Sequence, residues 1–386
     1  MKFNDIVELC FEAWVSGVRT TVCLLGPPGI GKSSVAPALA ARMTAHRRAQ
    51  NTEAPSALSI VSDLSSSQPE DILGLPYREN KSSHNVTRYA PMDDIDQLCQ
   101  PESYGVWLID DLPVAAPAVQ AATRRFVLER RSGAAVLAPD VFTIVTGNRR
   151  EDKSAASTLP AHFRNSVLLL EMEADLEGWL QWYRTTAFAP IVAQFNRWKP
   201  LLHSQHPTEA KDLGSFATPR SWTKLGELFT VAQKTDNLFE TAKGLVGEGV
   251  AAEFHAFVNV VSQLVPPDEV LRNPKRALPD PATVLNSEDR KYAMVSGLGA
   301  TAAAWRRGSD PKLQQLAPLA LFRALHWVTT HSREGVAVAV STYISEGCDA
   351  DDLMSVLTDA SLKGDLAVRE LGQHLVESFR KSPAKK

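Results

Sequence analysis

Thr20-Thr21-Val22-Cys23-Leu24-Leu25-Gly26-Pro27-Pro28-Gly29-Ile30-Gly31-Lys32-Ser33-Ser34 is the stretch whose reading decides the fold. Val22 to Leu25 has the pattern of a buried strand, the glycine-rich part that of a tight loop, and Ser34 to Met43 that of a helix. Gly26 to Ser33 matches the spacing G-x-x-x-x-G-K-[ST] of a phosphate loop. Gly26, Gly29 and Gly31 admit backbone conformations closed to residues with a Cβ, so N–H groups can turn inward around an anion. Lys32 would reach the outer phosphates, the Ser33 hydroxyl would ligate Mg²⁺, and the helix opening at Ser34 would present its positive end. The nucleotide contacts expected from this stretch are Gly26, Pro27, Pro28, Gly29, Ile30, Gly31, Lys32, Ser33 and Ser34.

Working outward, 386 residues with 44% hydrophobic side chains suffice for two or three domains with real cores. The net charge of −3 provides no global basic field, so indiscriminate attraction to nucleic acid or to an acidic membrane is not indicated. Cys10, Cys23, Cys99 and Cys348 are far apart without a C-x-x-C pair, which argues against a zinc ribbon or a disulfide framework and fits a reducing cytoplasm. The amino-terminal segment contains Asp5 and Glu8 and does not read as a secretory signal. No apolar run reaches the length of a membrane helix.

Asn4 to Ser16 has helical spacing, Val35 to His46 is the first crossover helix, and Leu58 to Val61 is a short buried strand, which together make a βαβ unit with a parallel sheet. Asp63 to Ala90 is a long polar excursion that reads as an ordered projection, a hairpin after Leu73-Gly74-Leu75-Pro76. Val106-Trp107-Leu108-Ile109 is an apolar strand ending in Asp110 and Asp111, where open α/β sheets bind ligands. There Asp110 would hold Mg²⁺ through water and Asp111 would polarise the attacking water. Val114 to Arg130 reads as helix, Val141 to Thr146 as a strand ending at Gly147-Asn148, and Leu159 to Phe163 and Val167 to Leu170 as a short helix and a fifth strand. From Ala174 onward every segment is helical in pattern, interrupted by the proline-rich Leu278 to Pro281. His203-Ser204-Gln205-His206 reads as a surface loop rather than a metal site, for want of accompanying carboxylates or cysteines. Arg124, Arg125, Arg130 and Arg131 suit a groove or a solvated helix face.

The motif set resembles the AAA+ ATPases, and among them the MoxR-like branch. Six elements in order carry the resemblance: Gly26 to Ser33, Asp71 to Pro76, Leu108 to Leu112, Ala118-Val119-Gln120 ahead of Val127 to Arg131, Thr146-Gly147-Asn148, and Phe216 to Trp222. Order and spacing agree over residues 1 to about 230 and more loosely to about 300. The resemblance implies a P-loop α/β core with a five-stranded parallel sheet over residues 1–172, a helical lid over 173–275, and a helical extension over 276–386. It also implies ATP and Mg²⁺ as cofactors, a homohexameric ring, and a von Willebrand type A domain protein as partner. Lys32 and Ser33 carry over as phosphate and Mg²⁺ contacts, Asp110 as the Walker B metal residue, Asn148 as sensor 1, and Arg220 as the lid arginine. Arg78 to Ala90 would be the insert typical of the branch, and Glu129 to Pro139 the hairpin before the sensor strand.

Two departures stand out. Asp111 occupies the position of the usual Walker B glutamate, one methylene shorter, which bears on water positioning and turnover. The family pattern after Leu159-Pro160-Ala161 ends in Asn-Arg, whereas this chain has Asn165-Ser166 with the arginine displaced to Arg164. Arg164 is then either the arginine finger or a surface arginine, with Arg149 and Arg150 as substitutes. The leading expectation is a chaperone-like ATPase remodelling a protein partner. A nucleic-acid-stimulated translocase and an ATP-gated scaffold with weak hydrolysis share the same site.

Overall fold

The computed structural model describes residues 1–80, 85–132, 134–149, 161–205, 214–329, 333–359, 362 and 364–372. The amino-terminal part runs α1 (Phe3–Val15), β1 (Val22–Leu25), α2 (Val35–Gln50), β2 (Leu58–Asp63), α3 (Pro69–Leu73), β3 (Leu75–Asn80), β4 (Asn85–Ala90), α4 (Asp93–Cys99) and β5 (Tyr104–Asp110). It continues through α5 (Pro117–Glu129), β6 (Arg131–Ser132), β7 (Ala135–Val136), β8 (Asp140–Gly147), α6 (Ala161–Arg164) and β9 (Leu168–Glu171). Helices follow: α7 (Leu176–Tyr183), α8 (Pro190–Trp198), α9 (Pro219–Lys234), α10 (Leu238–Val246), α11 (Glu248–Ser262), α12 (Pro267–Arg272), α13 (Pro274–Ala277) and α14 (Pro281–Val284). The last are α15 (Glu288–Arg307), α16 (Pro311–Thr329), α17 (Arg333–Ser345) and α18 (Ala350–Thr358).

Five strands form one parallel sheet in the order β2-β5-β8-β1-β9. The expected fold class, a five-stranded parallel α/β sheet followed by helices, is the one found. Such sheets are covered on both faces, so their central strands are apolar throughout. Tyr104 to Ile109 and Val141 to Gly147 are accordingly buried without interruption. One face packs Ile6, Cys10 and Trp14 of α1 and Leu39 and Met43 of α2 against Leu24, Leu108 and Ile144. The other packs Val119 and Phe126 of α5 against Trp107, Ile109 and Val145. Because β8 lies between β1 and β5, the carboxyl ends of three adjacent strands open at the same edge. That edge is where the loop after β1, Asp110 after β5 and Asn148 after β8 meet.

β5 begins two residues before the expected Val106. Gly105 has φ +142°, and a Cβ there would stand 2.2 Å from the Leu58 carbonyl oxygen, so only glycine lets β2 and β5 approach. The excursion after β2 does hold a hairpin, with β3 and β4 pairing antiparallel from Leu75↔Ala90 to Asn80↔Asn85. A smaller hairpin pairs Arg131-Ser132 with Ala135-Val136 ahead of β8.

The chain divides into two compact units, residues 1–178 with 204–221, and residues 179–203 with 222–386. In the second, one apolar core extends from Val270 to Leu371, with Leu298, Leu321, Leu325 and Tyr343 inside it. Leu278 belongs to that core, so the proline-rich stretch does not interrupt it. Pro281 of that stretch, like Pro274 ahead of it, starts a short helix, as expected of a residue whose missing N–H costs nothing at a first helical position.

One expectation is overturned here. His203 is not in a surface loop: it is 2% exposed, sits 4.9 Å from the Trp179 ring centroid, and its Nδ1 lies 2.9 Å from Asn196 Oδ1. Burial pushes its pKa down to about 4, so the imidazole is neutral and packs as an aromatic side chain. His206 lies outside the described residues. Arg130, read as groove or solvated face, is half-buried and donates through Nη2 to Ala138 O at 2.7 Å and Val141 O at 2.9 Å. Arg124, Arg125 and Arg131 are exposed.

Candidate functional site

After β1, Gly29 has φ +77° and Gly31 φ +100°. A Cβ on Gly31 would meet nothing within 4 Å, so conformation rather than crowding requires glycine there. The chain then closes a 3₁₀ turn, with Ser34 N donating to Gly31 O at 3.0 Å, and continues as α2. Gly26, Pro27, Gly29 and Ile30 are buried, Pro28, Gly31 and Ser33 half-buried, and Ser34 exposed.

Lys32 is 7% exposed, a burial an ammonium tolerates only when its donors are matched. Its Nζ donates to Gly26 O, Pro27 O and Asn148 Oδ1, each at 2.8 Å. The loop after β1 and the end of β8 are thus tied through one side chain. Ser33 Oγ donates to Asp110 Oδ2 at 2.7 Å, while Thr146 Oγ1 donates to Asp110 Oδ1 and accepts from Asp111 N at 3.3 Å. Asp111 starts a tight turn over Leu112–Val114 with φ +55° and ψ +36°. Burial raises its pKa and neighbouring Asp110 and Asp63 raise it further, while Lys32 and Arg220 pull it down.

Arg220 is joined to the loop by its backbone, whose N–H donates to Gly29 O at 3.0 Å. Its side chain is exposed. The turn that delivers it is a reciprocal cap, Ser221 N to Thr218 Oγ1 at 3.1 Å and Thr218 N to Ser221 Oγ at 2.8 Å. Thr218 lies so close to the loop that a Cβ on Gly29 would be 2.7 Å from Thr218 Oγ1.

The structure therefore brings together Lys32, Ser33, Asp110, Asp111 and Asn148, with Arg220 alongside. It does not bring Arg164 to them. That residue is exposed at the end of α6, ahead of Leu168, whose register partner Val22 begins β1, so it lies at the amino-terminal edge of the sheet. Arg149 is on the correct edge and pairs with Glu171 at 3.8 Å. Arg150 lies outside the described residues.

Three contributors were missed by sequence reasoning. Asp63 pairs in register with Asp110; the strand had been ended at Val61, which hid an acidic strand end of the same kind as Asp110. Thr146 passed as the last residue of a strand, and Thr218 as part of a motif rather than as a contact.

The donor set was tested against the groups the motif implies. The Ser33 hydroxyl with the Asp110 carboxylate is the hard-oxygen chemistry Mg²⁺ takes. The positive-φ loop followed by a helix start, with a lysine beneath it, is the chemistry a triphosphate takes. Both fit.

No family model matches the chain, and no curated protein matches it. Among solved structures it is similar to a RuvB mutant from Thermotoga maritima, at 14% identity and a TM-score of 0.35 over 74% of this chain and 82% of that one. It is similar to PCH-2 from C. elegans, at 15% identity and a TM-score of 0.33 over 68% of this chain and 62% of that one. A third is NtrX from Brucella abortus in complex with ADP, at 12% identity and a TM-score of 0.36 over 87% of this chain and 68% of that one. Likenesses of this degree carry no argument about chemistry, which rests on the site's own residues.

Proposed function

We propose that the chain is an AAA+ ATPase of the MoxR-like branch, which binds ATP with Mg²⁺ at this site and hydrolyses it. The observation that carries this reading is the convergence of Lys32, Ser33, Asp110, Asp111 and Asn148 on one loop at the exits of three adjacent parallel strands. Mg²⁺, when bound, neutralises charge on the phosphate oxygens. Ser33 Oγ donates a hydrogen bond to Asp110, which leaves its own lone pairs free to take a cation. Lys32 Nζ stands beside Asn148 Oδ1, where it would meet the outer phosphates. Asp111, its pKa raised from the usual aspartate value by burial and by neighbouring Asp110, accepts a proton from water more readily than a fully solvated aspartate would.

The same reading makes the chain a subunit of a homohexameric ring in the cytoplasm, with Arg164 reaching a neighbour's nucleotide and Arg220 reading it within the chain. Its work is remodelling of a protein partner, a von Willebrand type A domain protein. The position of Arg164 at the sheet edge opposite the loop supports its acting on another subunit's site. One observation favours the scaffold alternative, in which ATP sets assembly with little turnover: Asp111 is both short and locked in a left-handed turn. Equilibrium titration of ATP in Mg²⁺ tests the site itself. Lys32→Ala leaves three carbonyl acceptors without their donor and is expected to weaken ATP about 10- to 100-fold; undiminished affinity would overturn the assignment.

A further inference from the structure

We infer that Thr146 is a positioning residue that sets the two strand-end carboxylates relative to each other, an inference that rests on the ATPase reading above. Its hydroxyl has one proton and two lone pairs. The proton goes to the charged acceptor, Asp110 Oδ1, and a lone pair receives the backbone N–H of Asp111. Asp110 is thereby held from both sides, by Thr146 on Oδ1 and by Ser33 on Oδ2. Its carboxylate plane is fixed by two hydroxyls from two different strand exits.

The second contact fixes Asp111. A left-handed aspartate has few ways to satisfy its N–H, and the next donor along, Val114 N, returns to Asp111 O at 3.0 Å to close the turn. The bond to Thr146 is what anchors that turn to β8. Thr146 is fully buried, on a strand whose neighbour in the chain is Gly147, with Asn148 next. One side chain therefore couples the metal-holding carboxylate, the water-facing carboxylate and the strand that carries the sensor amide. Removing the hydroxyl without changing shape strands the Asp111 N–H and takes a donor from Asp110.

The test compares wild type, Thr146→Val and Thr146→Ser, reading ATP affinity by titration and kcat and Mg²⁺ dependence by phosphate release. Thr146→Val is expected to keep ATP affinity within about threefold while kcat falls at least about tenfold, as for other lost positioning groups. Half-saturating Mg²⁺ rises several-fold. Thr146→Ser, which restores the hydroxyl, recovers most of the rate. A Thr146→Val enzyme with kcat and half-saturating Mg²⁺ both within twofold of wild type would overturn the inference. Should the valine variant fail to fold, Thr146→Ala against Thr146→Ser isolates the hydroxyl in the same way, equal rates in the two sinking the proposal. Wild type that binds no ATP would instead defeat the ATPase reading, so the two failures are told apart.

Discussion

Asp111 is held at φ +55°, in a left-handed region that aspartate and asparagine enter more readily than other residues with a Cβ. Burial and the charges of Asp110 and Asp63 raise its folded pKa, more than Lys32 and Arg220 lower it. The folded chain thus binds more protons than the unfolded one between the two values, and stability declines as pH rises through that window. At neutral pH the ionised Asp111 is a standing cost. Asp111→Asn keeps the backbone conformation and removes the charge, so it is expected to raise the melting temperature of the nucleotide-free protein at pH 7 by about 2 °C. The gain should vanish in acid, below the unfolded carboxylate's pKa; calorimetry across pH checks both, and a lower melting temperature at pH 7 would contradict the electrostatics. At this scale the sequence was legible where a residue's neighbours in the chain announce its task, as the glycines do for Lys32 and the apolar run does for Asp110. It was illegible for Asp63 and Thr146, single polar residues at strand ends whose roles come from strand order, and for His203, whose burial depends on Trp179 and Asn196 from elsewhere in the chain.

β2 and β5 illustrate the element scale. Their pairing from Leu58↔Gly105 to Asp63↔Asp110 sets the level at which Asp63 and Asp110 emerge. Gly105→Ala would place a Cβ 2.2 Å from the Leu58 carbonyl oxygen at a φ that alanine rarely adopts, so β2 must shift or unpair. The expected result is a loss of stability of about 2 to 4 kcal/mol by denaturant titration; a loss below about 0.5 kcal/mol, ordinary for a surface site, would show that the pairing is not needed. β5 and β8 were readable because burial on both faces leaves an unbroken apolar run, whereas β2, expected to be buried, lies at the sheet's edge and alternates half-buried with exposed residues, and β3 and β4 announced themselves only through length and turn residues. Helix ends were less readable. α16 starts at Pro311, five residues before the expected Leu316, because between Pro311 and Gln315 only Leu313 packs on the core, too little to show an apolar period.

For the whole molecule, two compact units each have their own core, and the residues of the proposed nucleotide site all belong to the first. The ring proposal makes a prediction that neither unit shows alone: with a slowly hydrolysed ATP analogue, mass photometry is expected to find particles near six subunits, and Arg164→Ala to bind ATP normally yet lose assembly-dependent turnover. Monomers under every condition would leave the site standing and remove the ring. The central claim, that these residues hydrolyse ATP, is tested most directly by phosphate release from wild type and Asp111→Asn at saturating ATP and Mg²⁺, with binding measured on the same samples. The account predicts equal binding, multiple turnovers by wild type, and a rate at least about 100-fold lower for Asp111→Asn. Equal rates in the two proteins, or no turnover by wild type that binds ATP, would contradict it.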